Sequence, residues 1–299
     1  MAITQESGPL VVGGRTVTIN NYTPDYNPDA APSPISMGIG VLDPRYRYSD
    51  GSGLRALMWG ATSMLPAIDF VPAPSSATLL AAAQSGTAGT GLTLATTSTT
   101  GLTVLSSAQA VLPTGTTVPS GALALDGVPT TFSYGQSGAI QRYTLNTSAA
   151  RALLVTWAGN DTAAYLTVSG YDVYGAPMTE KISGASGSTS AGKKAFKFVA
   201  SAVPGGTVSG SNISLGTQDV FGFPLAARSF AYTDITWNST AATSSGVTSA
   251  VTTTATSVTG DVRGTYAVPS AADGTKNLTV FIAPLPDMSQ ANLVGVTQA

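Results

Sequence analysis

The chain has 299 residues and a formal net charge of −2, with 9% charged and 43% hydrophobic residues. That length suits one large or two ordinary domains, and a charge balance this even leaves no electrostatic footprint for nucleic acid. Cys and His are both absent, which excludes disulfides, thiolate metal sites, thiol nucleophiles, Ser-His-Asp triads and His general bases.

Glu occurs only at Glu6 and Glu180, and Lys at five positions. These residues decorate exposed helix faces. Their scarcity, beside abundant Thr, Val, Ser, Gly and Tyr, predicts a mainly β fold. The opening "MAITQESGPLVV" has no basic stretch followed by an apolar one, so no signal peptide is expected. No apolar run approaches the ~20 residues of a membrane helix. Six of the nine Asn residues stand in N-x-S/T contexts, read here as polar turn and strand chemistry rather than glycosylation.

Residues 1–74 are expected to form an extended N-terminal arm. Pro recurs through them, and "YTPDYNPDAAPSP" (22–34) suits neither a regular helix nor a central strand. "GLRALMWGATSML" (53–65) reads as a short helix or packed loop. "SSATLLAAAQ" (75–84) predicts a helix capped by Ser75 or Ser76 and ended by Gly86. It opens a Thr/Gly-rich β connector, 75–127, of short strands and tight turns.

Residues 128–225 are expected to form a β-sandwich domain. "RALLVTWA" (151–158) is a nearly continuous apolar strand. "AYLTVSGYDVYG" (164–175) puts Leu166 and Val168 on one face and a turn at Asp172–Gly175. "KKAFKFVAS" (193–201) alternates Phe196 and Phe198 against Lys197. Residues 226–299 form a second β region. There "RSFAYTDITWNS" places Ile235 and Trp237 on one face, and "NLTVFIAPL" places Leu278, Val280 and Ile282 together. "GDVRGTYAVPSAADGTKNLTVFI" (260–282) reads as a hairpin turning at Asp273–Gly274, and "PDMSQANLVGVTQA" (286–299) as an exposed end.

Without His, acid–base chemistry would need paired carboxylates. The candidates by spacing are Asp25 with Asp29, Asp43 with Asp50, Asp172 with Glu180, and Asp261 with Asp273. Asp in "YDVYG" and "ADGT" is better read as turn chemistry. "NYTPDYNPD" and "YSDGSG" lack the ligand spacing of a calcium loop. "GTAGTG" (86–91) lacks the order of a phosphate loop. No metal, cofactor or catalytic residue is expected. The sharpest surface feature is "DPRYRYSDGSG" (43–53), where Arg45 and Arg47 alternate with Tyr46 and Tyr48. Tyr and Arg are enriched at interfaces, so these four, with Arg263, are the candidate assembly interface.

"SGYDVYGAPMTEKISG" followed by "KKAFKFVAS", and "TQDVFGFPLAARSF" followed by "TGDVRGTYAVPSAADGTKNLTVFI", resemble segments of virion structural proteins of tailed bacteriophages. The resemblance spans roughly 160 to 285, with echoes in "MGIGVLDPRYRY" and "PSSATLLAAAQ". It implies a capsid decoration or cement protein that bridges subunits of the major capsid protein. It further implies a homo-oligomer, trimers being common among such proteins, located in the virion and without enzymatic activity, while the charge balance and the lack of a long apolar run leave no expectation of nucleic-acid binding or membrane contact. It carries over no site residues. The alternative is a tail, fibre or baseplate protein that binds host glycans. That reading needs Tyr171, Tyr174, Trp157 and Trp237 exposed, whereas the two Trp residues read as core.

Overall fold

The structure is a computed structural model and describes residues 9–12, 15–18, 68–111, 116–128, 131–133, 141–143, 149–224, 233–242, 244–251, 256–282 and 298. The chain divides into two compact units, residues 1–65 with 283–288, and residues 66–282 with 289–299. In the first, β1 (Pro9–Val12) and β2 (Arg15–Thr18) pair antiparallel.

The second unit carries β3 (Ile68–Phe70), β4 (Ala81–Ser85), β5 (Leu102–Val104), β6 (Gln109–Val111), β7 (Thr116–Val118), β8 (Leu123–Leu125), β9 (Thr131–Ser133) and β10 (Gln141–Tyr143). These are followed by β11 (Ala150–Trp157), β12 (Ala164–Tyr171), β13 (Pro177–Ser183), β14 (Thr189–Phe196), β15 (Phe198–Gly206) and β16 (Asn212–Gly222). Last come β17 (Thr233–Trp237), β18 (Thr240–Ala241), β19 (Val247–Thr248), β20 (Thr265–Ala267) and β21 (Leu278–Ile282). The protein is mainly β, as its composition predicts. Among the described residues the only helical element is a 3-10 turn at Ser244–Gly246, and no helix is long and apolar enough to cross a membrane.

Two antiparallel sheets share one core and make a β-sandwich-like body. One runs β14-β11-β16-β20-β19, with β4 on the first half of β16. The other runs β13-β12-β15-β8-β5. Period-two alternation sends Leu153, Val155 and Trp157 of β11, Leu166 and Val168 of β12, and Ile213 and Leu215 of β16 into this core. A further sheet, β18-β17-β21-β3, buries Ile235, Trp237, Leu278 and Val280 with Ile68, Phe70 and Phe221. There Phe70 meets Phe221 edge to face at 5.6 Å between centroids. The sandwich is not confined to residues 128–225, because it takes β4, β5 and β8 from before that span and β19 and β20 from after it.

Four local expectations are corrected. Residues 75–84 are not a helix. After a turn at 77–80 the chain enters β4, where Ala81 pairs with Leu215 and Leu80 N donates to Leu215 O at 3.0 Å. An isolated ten-residue helix is marginal in water, and the open edge of β16 offers both hydrogen bonds and a buried slot for Leu80. At Gly216 an added Cβ would stand 1.9 Å from Ser76 O, so this close approach needs a bare backbone.

Residues 260–282 are not a hairpin: β20 pairs with β16 and β19, while β21 pairs with β17 and β3. The Asp273–Gly274 turn does form, with Gly274 at φ 82, but it links two different sheets. Lys197 does not face outward. The chain passes there from β14 to β15, so Phe196 and Phe198 enter different cores and Lys197 between them is buried. The segment 286–299 is described only at Gln298, which is fully buried. The expected packed segment 53–65 and residues 1–8, 13–14 and 19–67 of the expected arm lie outside the described residues, while Ile68–Phe70 joins the folded second unit.

Candidate functional site

The body holds ionisable side chains at positions where strand alternation would place apolar ones. On β13, Met178, Glu180 and Ile182 face inward. Glu180 accepts hydrogen bonds from Lys193 N and, at 3.4 Å, Lys194 N of β14. Gly192 makes room, since a Cβ there would come within 2.8 Å of Glu180 Oε2. Burial pushes the Glu180 carboxyl up to about 7, against the pull of those backbone donors and of Lys194. Lys194, in phase with Phe196, is also buried. Its Nζ donates to Gln298 O at 3.1 Å. Burial holds this ammonium below its ordinary range, opposed by Asp261 and Glu180.

The turn before β20 supplies two more charges. Asp261 Oδ1 accepts Arg263 N at 2.9 Å and Oδ2 accepts Ala195 N at 3.1 Å. Its carboxyl is raised by burial and lowered by Arg263. The Arg263 guanidinium forms a buried ion pair with Asp172 Oδ2 and lies 5.2 Å from the centroid of the Tyr174 ring. Burial works against the Arg263 charge, but Asp172 and Asp261 together outweigh it and raise its pKa. Asp172 Oδ1 meanwhile accepts Tyr174 N and Ala176 N, both at 2.8 Å, which is the expected turn. Tyr174 donates its hydroxyl to Pro224 O at 2.7 Å, and burial raises the phenol to about 12. Three carboxyls (Asp172, Glu180, Asp261) therefore share an interior with two cations (Lys194, Arg263).

A second buried cluster surrounds Arg151 of β11. Its Nη1 donates to Ala73 O at 2.8 Å and pairs with Asp126 at 3.1 Å, Nη2 pairs with Asp219 at 2.6 Å, and Nε donates to Gln218 O at 2.7 Å. Phe221 lies under the guanidinium, 5.0 Å from its centroid. Nearby, Lys197 Nζ donates to the carbonyls of Leu125, Ala149 and Asp126. Burial pulls this ammonium down to about 7, opposed by Asp126.

Of the two spacing-based carboxylate pairs within the described residues, Asp261 with Asp273 does not form. Asp172 and Glu180 enter one cluster along with Asp261, whereas Asp273 sits outside it as an exposed turn cap. Asp273 accepts Thr275 N and Thr275 Oγ1, which hold its carboxyl well below the usual range. Asp25, Asp29, Asp43 and Asp50 lie outside the described residues, as do Arg45, Tyr46, Arg47 and Tyr48. Arg263, expected at a subunit contact, is 2% exposed and points into the body. Trp157 and Trp237 are core residues, Tyr174 is buried, and Tyr171 is half-buried against the core of Phe198.

The oxygens of Asp172, Glu180 and Asp261 are turned to backbone amides and Arg263, away from solvent. Such an arrangement fixes loops to sheets and uses these three carboxylates within the fold. Among the described residues no group of three or more His, Cys, Asp or Glu is placed to hold a metal ion. Sequence reasoning missed Arg151, Lys194, Lys197, Asp126 and Asp219. A signal existed for two of them: Arg151 shares the parity of Leu153 and Val155, and Lys194 shares that of Phe196. No protein-family model, no curated protein and no solved structure matches this chain.

Proposed function

We propose that the protein is a structural component of a bacteriophage virion, a decoration or cement protein that stabilises the head by bridging capsid subunits. The reading starts from the sequence resemblance. The observation that carries it furthest is how the described carboxylates are used: Asp172, Glu180 and Asp261 are buried and committed to the protein's own backbone and cations. A protein built this way holds a shape and acts through its surface. That surface is polar but poor in charge, which permits dense packing with little mutual repulsion. Many weak contacts per particle then add through multivalency. The alternative, glycan binding by a tail or fibre protein, loses its aromatic platform with Trp157, Trp237 and Tyr174 buried.

The test adds purified protein to heads that lack it. Saturable binding at a fixed copy number, with a raised temperature of head disruption, is the expected result. Failure to bind such heads removes the reading.

A further inference from the structure

We propose that the open edge of β14, residues 188–192, is a self-association surface that pairs antiparallel with the same edge of a second copy of this chain. A sheet edge carries unpaired N–H and C=O groups and invites another strand unless something covers it. In the three large sheets the other edges are covered or cut short. Beside β13, Thr179 N donates to Gln298 O and Lys181 N to Ser257 O. Beside β4, Thr93 N donates to Gln84 Oε1 and Ala95 N to Leu80 O. At β5, Ser98 Oγ accepts Val104 N. β18 and β19 are two residues each and β3 is three. β14 differs. Trp157 N donates to Ser188 O at 2.9 Å, so Ser188 turns its backbone groups toward β11. Ser190, opposite Val155, does the same by alternation, and Thr189 and Ala191 turn theirs outward. Among the described residues the N–H and C=O groups of Thr189 and Ala191 have no partner, and both residues are exposed. Past them the register shift on β11 ends the regular edge, and Glu180 takes Lys193 N.

The edge itself argues for an identical strand as its occupant. From Ser188 to Gly192 the side chains are small, uncharged and free of Pro. A two-fold axis through Ser190 sets Thr189 of each copy against Ala191 of the other. Each residue then exchanges both its backbone hydrogen bonds with the one opposite. The same register sets Lys193 against the second copy's Gly187. The two Lys193 residues therefore stand roughly 20 Å apart along the pairing, well past the Debye length of ~8 Å at physiological salt. No like charges meet across the axis. Among the described residues the large apolar side chain most open to solvent is Val258, 55% exposed. It stands at the end of this edge, where its carbonyl accepts Lys193 Nζ at 3.3 Å, so the two-fold axis places one Val258 toward each end of the contact. The surface is small and the contact weak on its own; repetition in an array would strengthen it. It is a property of the isolated chain and does not depend on the capsid reading.

Sedimentation velocity and amide hydrogen exchange on the full chain test the pairing. Raising the concentration should convert monomer to dimer and slow exchange at the Thr189 and Ala191 amides, with the amides of β16 unchanged. Thr189→Glu combined with Ala191→Glu sets carboxylates directly opposite carboxylates and should abolish the dimer. Thr189→Lys combined with Ala191→Lys should do the same. Both positions are exposed, so the fold is kept. Mixing the two double variants should restore a one-to-one dimer in native mass spectrometry. The proposal is overturned by a chain that stays monomeric at every concentration, or by Thr189 and Ala191 amides that exchange alike at all dilutions. An oligomer that survives either double variant, or a mixture that fails to reassociate, overturns it as well.

Discussion

Arg263 and Asp172 have exchanged water for each other, and the exchange is hard to undo from one side only. Replacing a buried pair with apolar groups is often neutral, whereas removing one partner strands the other charge. Arg263→Ala should therefore lower stability by about 3–5 kcal/mol, read as a drop in the urea midpoint with unchanged slope. Asp172→Asn should cost less, since its turn-capping oxygen is retained. Were Arg263 a subunit contact, Arg263→Ala would leave the midpoint of the isolated chain alone and weaken only assembly. Glu180 gives a second residue-level expectation. Its folded-state pKa of about 7 lies above the ordinary 4.5, so the folded chain holds the proton more tightly than the unfolded one. The resulting stability is full below about 4.5 and is lost as pH rises through 7. Glu180→Gln should remove that slope from a series of midpoints measured across this window. At this scale the sequence was half readable. Asp172 and Asp273 announce their turns because short carboxylates cap local backbone. The ion partners are brought together only by long-range pairing, so spacing along the chain could not reveal them.

At the scale of elements, long strands were legible because their own alternation carries the signal. Leu166 with Val168, Ile235 with Trp237, and Leu278 with Val280 all face inward as their periodicity demands. The segment 75–84 was misread because its Ala-rich composition favours a helix while its partner, the edge of β16, lies more than 130 residues away in sequence. Two substitutions separate strand from helix there. Ala82 and Ala83 are exposed on β4, so Ala83→Val should hold or raise stability by a few tenths of a kcal/mol in a strand, whereas it would lower it in a helix. Gly216→Ala should destabilise by about 1–3 kcal/mol, because its new Cβ meets the backbone at Ser76 and Ala77. Thermal unfolding of both variants is the measurement. The hairpin expected at 260–282 failed for a related reason: a good turn sequence fixes the direction of the chain but not which strands it joins.

For the whole molecule, the buried groups act together on stability. Glu180 and Asp261 have raised pKa values, which favour folding at acid pH. Lys194 and Lys197 have lowered ones, so the folded chain binds fewer protons than the unfolded chain between about 7 and 10.5, and stability climbs with pH over that interval. The two arms predict a trough of stability near neutral pH, visible in denaturation midpoints taken from pH 4.5 to 9.5. Glu180→Gln should reduce the acid arm and leave the alkaline arm unchanged. The same burial has an electrophoretic consequence. An isoelectric point of about 4.9 follows from the composition when every carboxyl titrates normally. In the folded chain Glu180, with its carboxyl raised to about 7, keeps its proton at that pH, so the native protein still carries net positive charge there. Native isoelectric focusing should place its band above 4.9, and focusing in urea should return it to the compositional value.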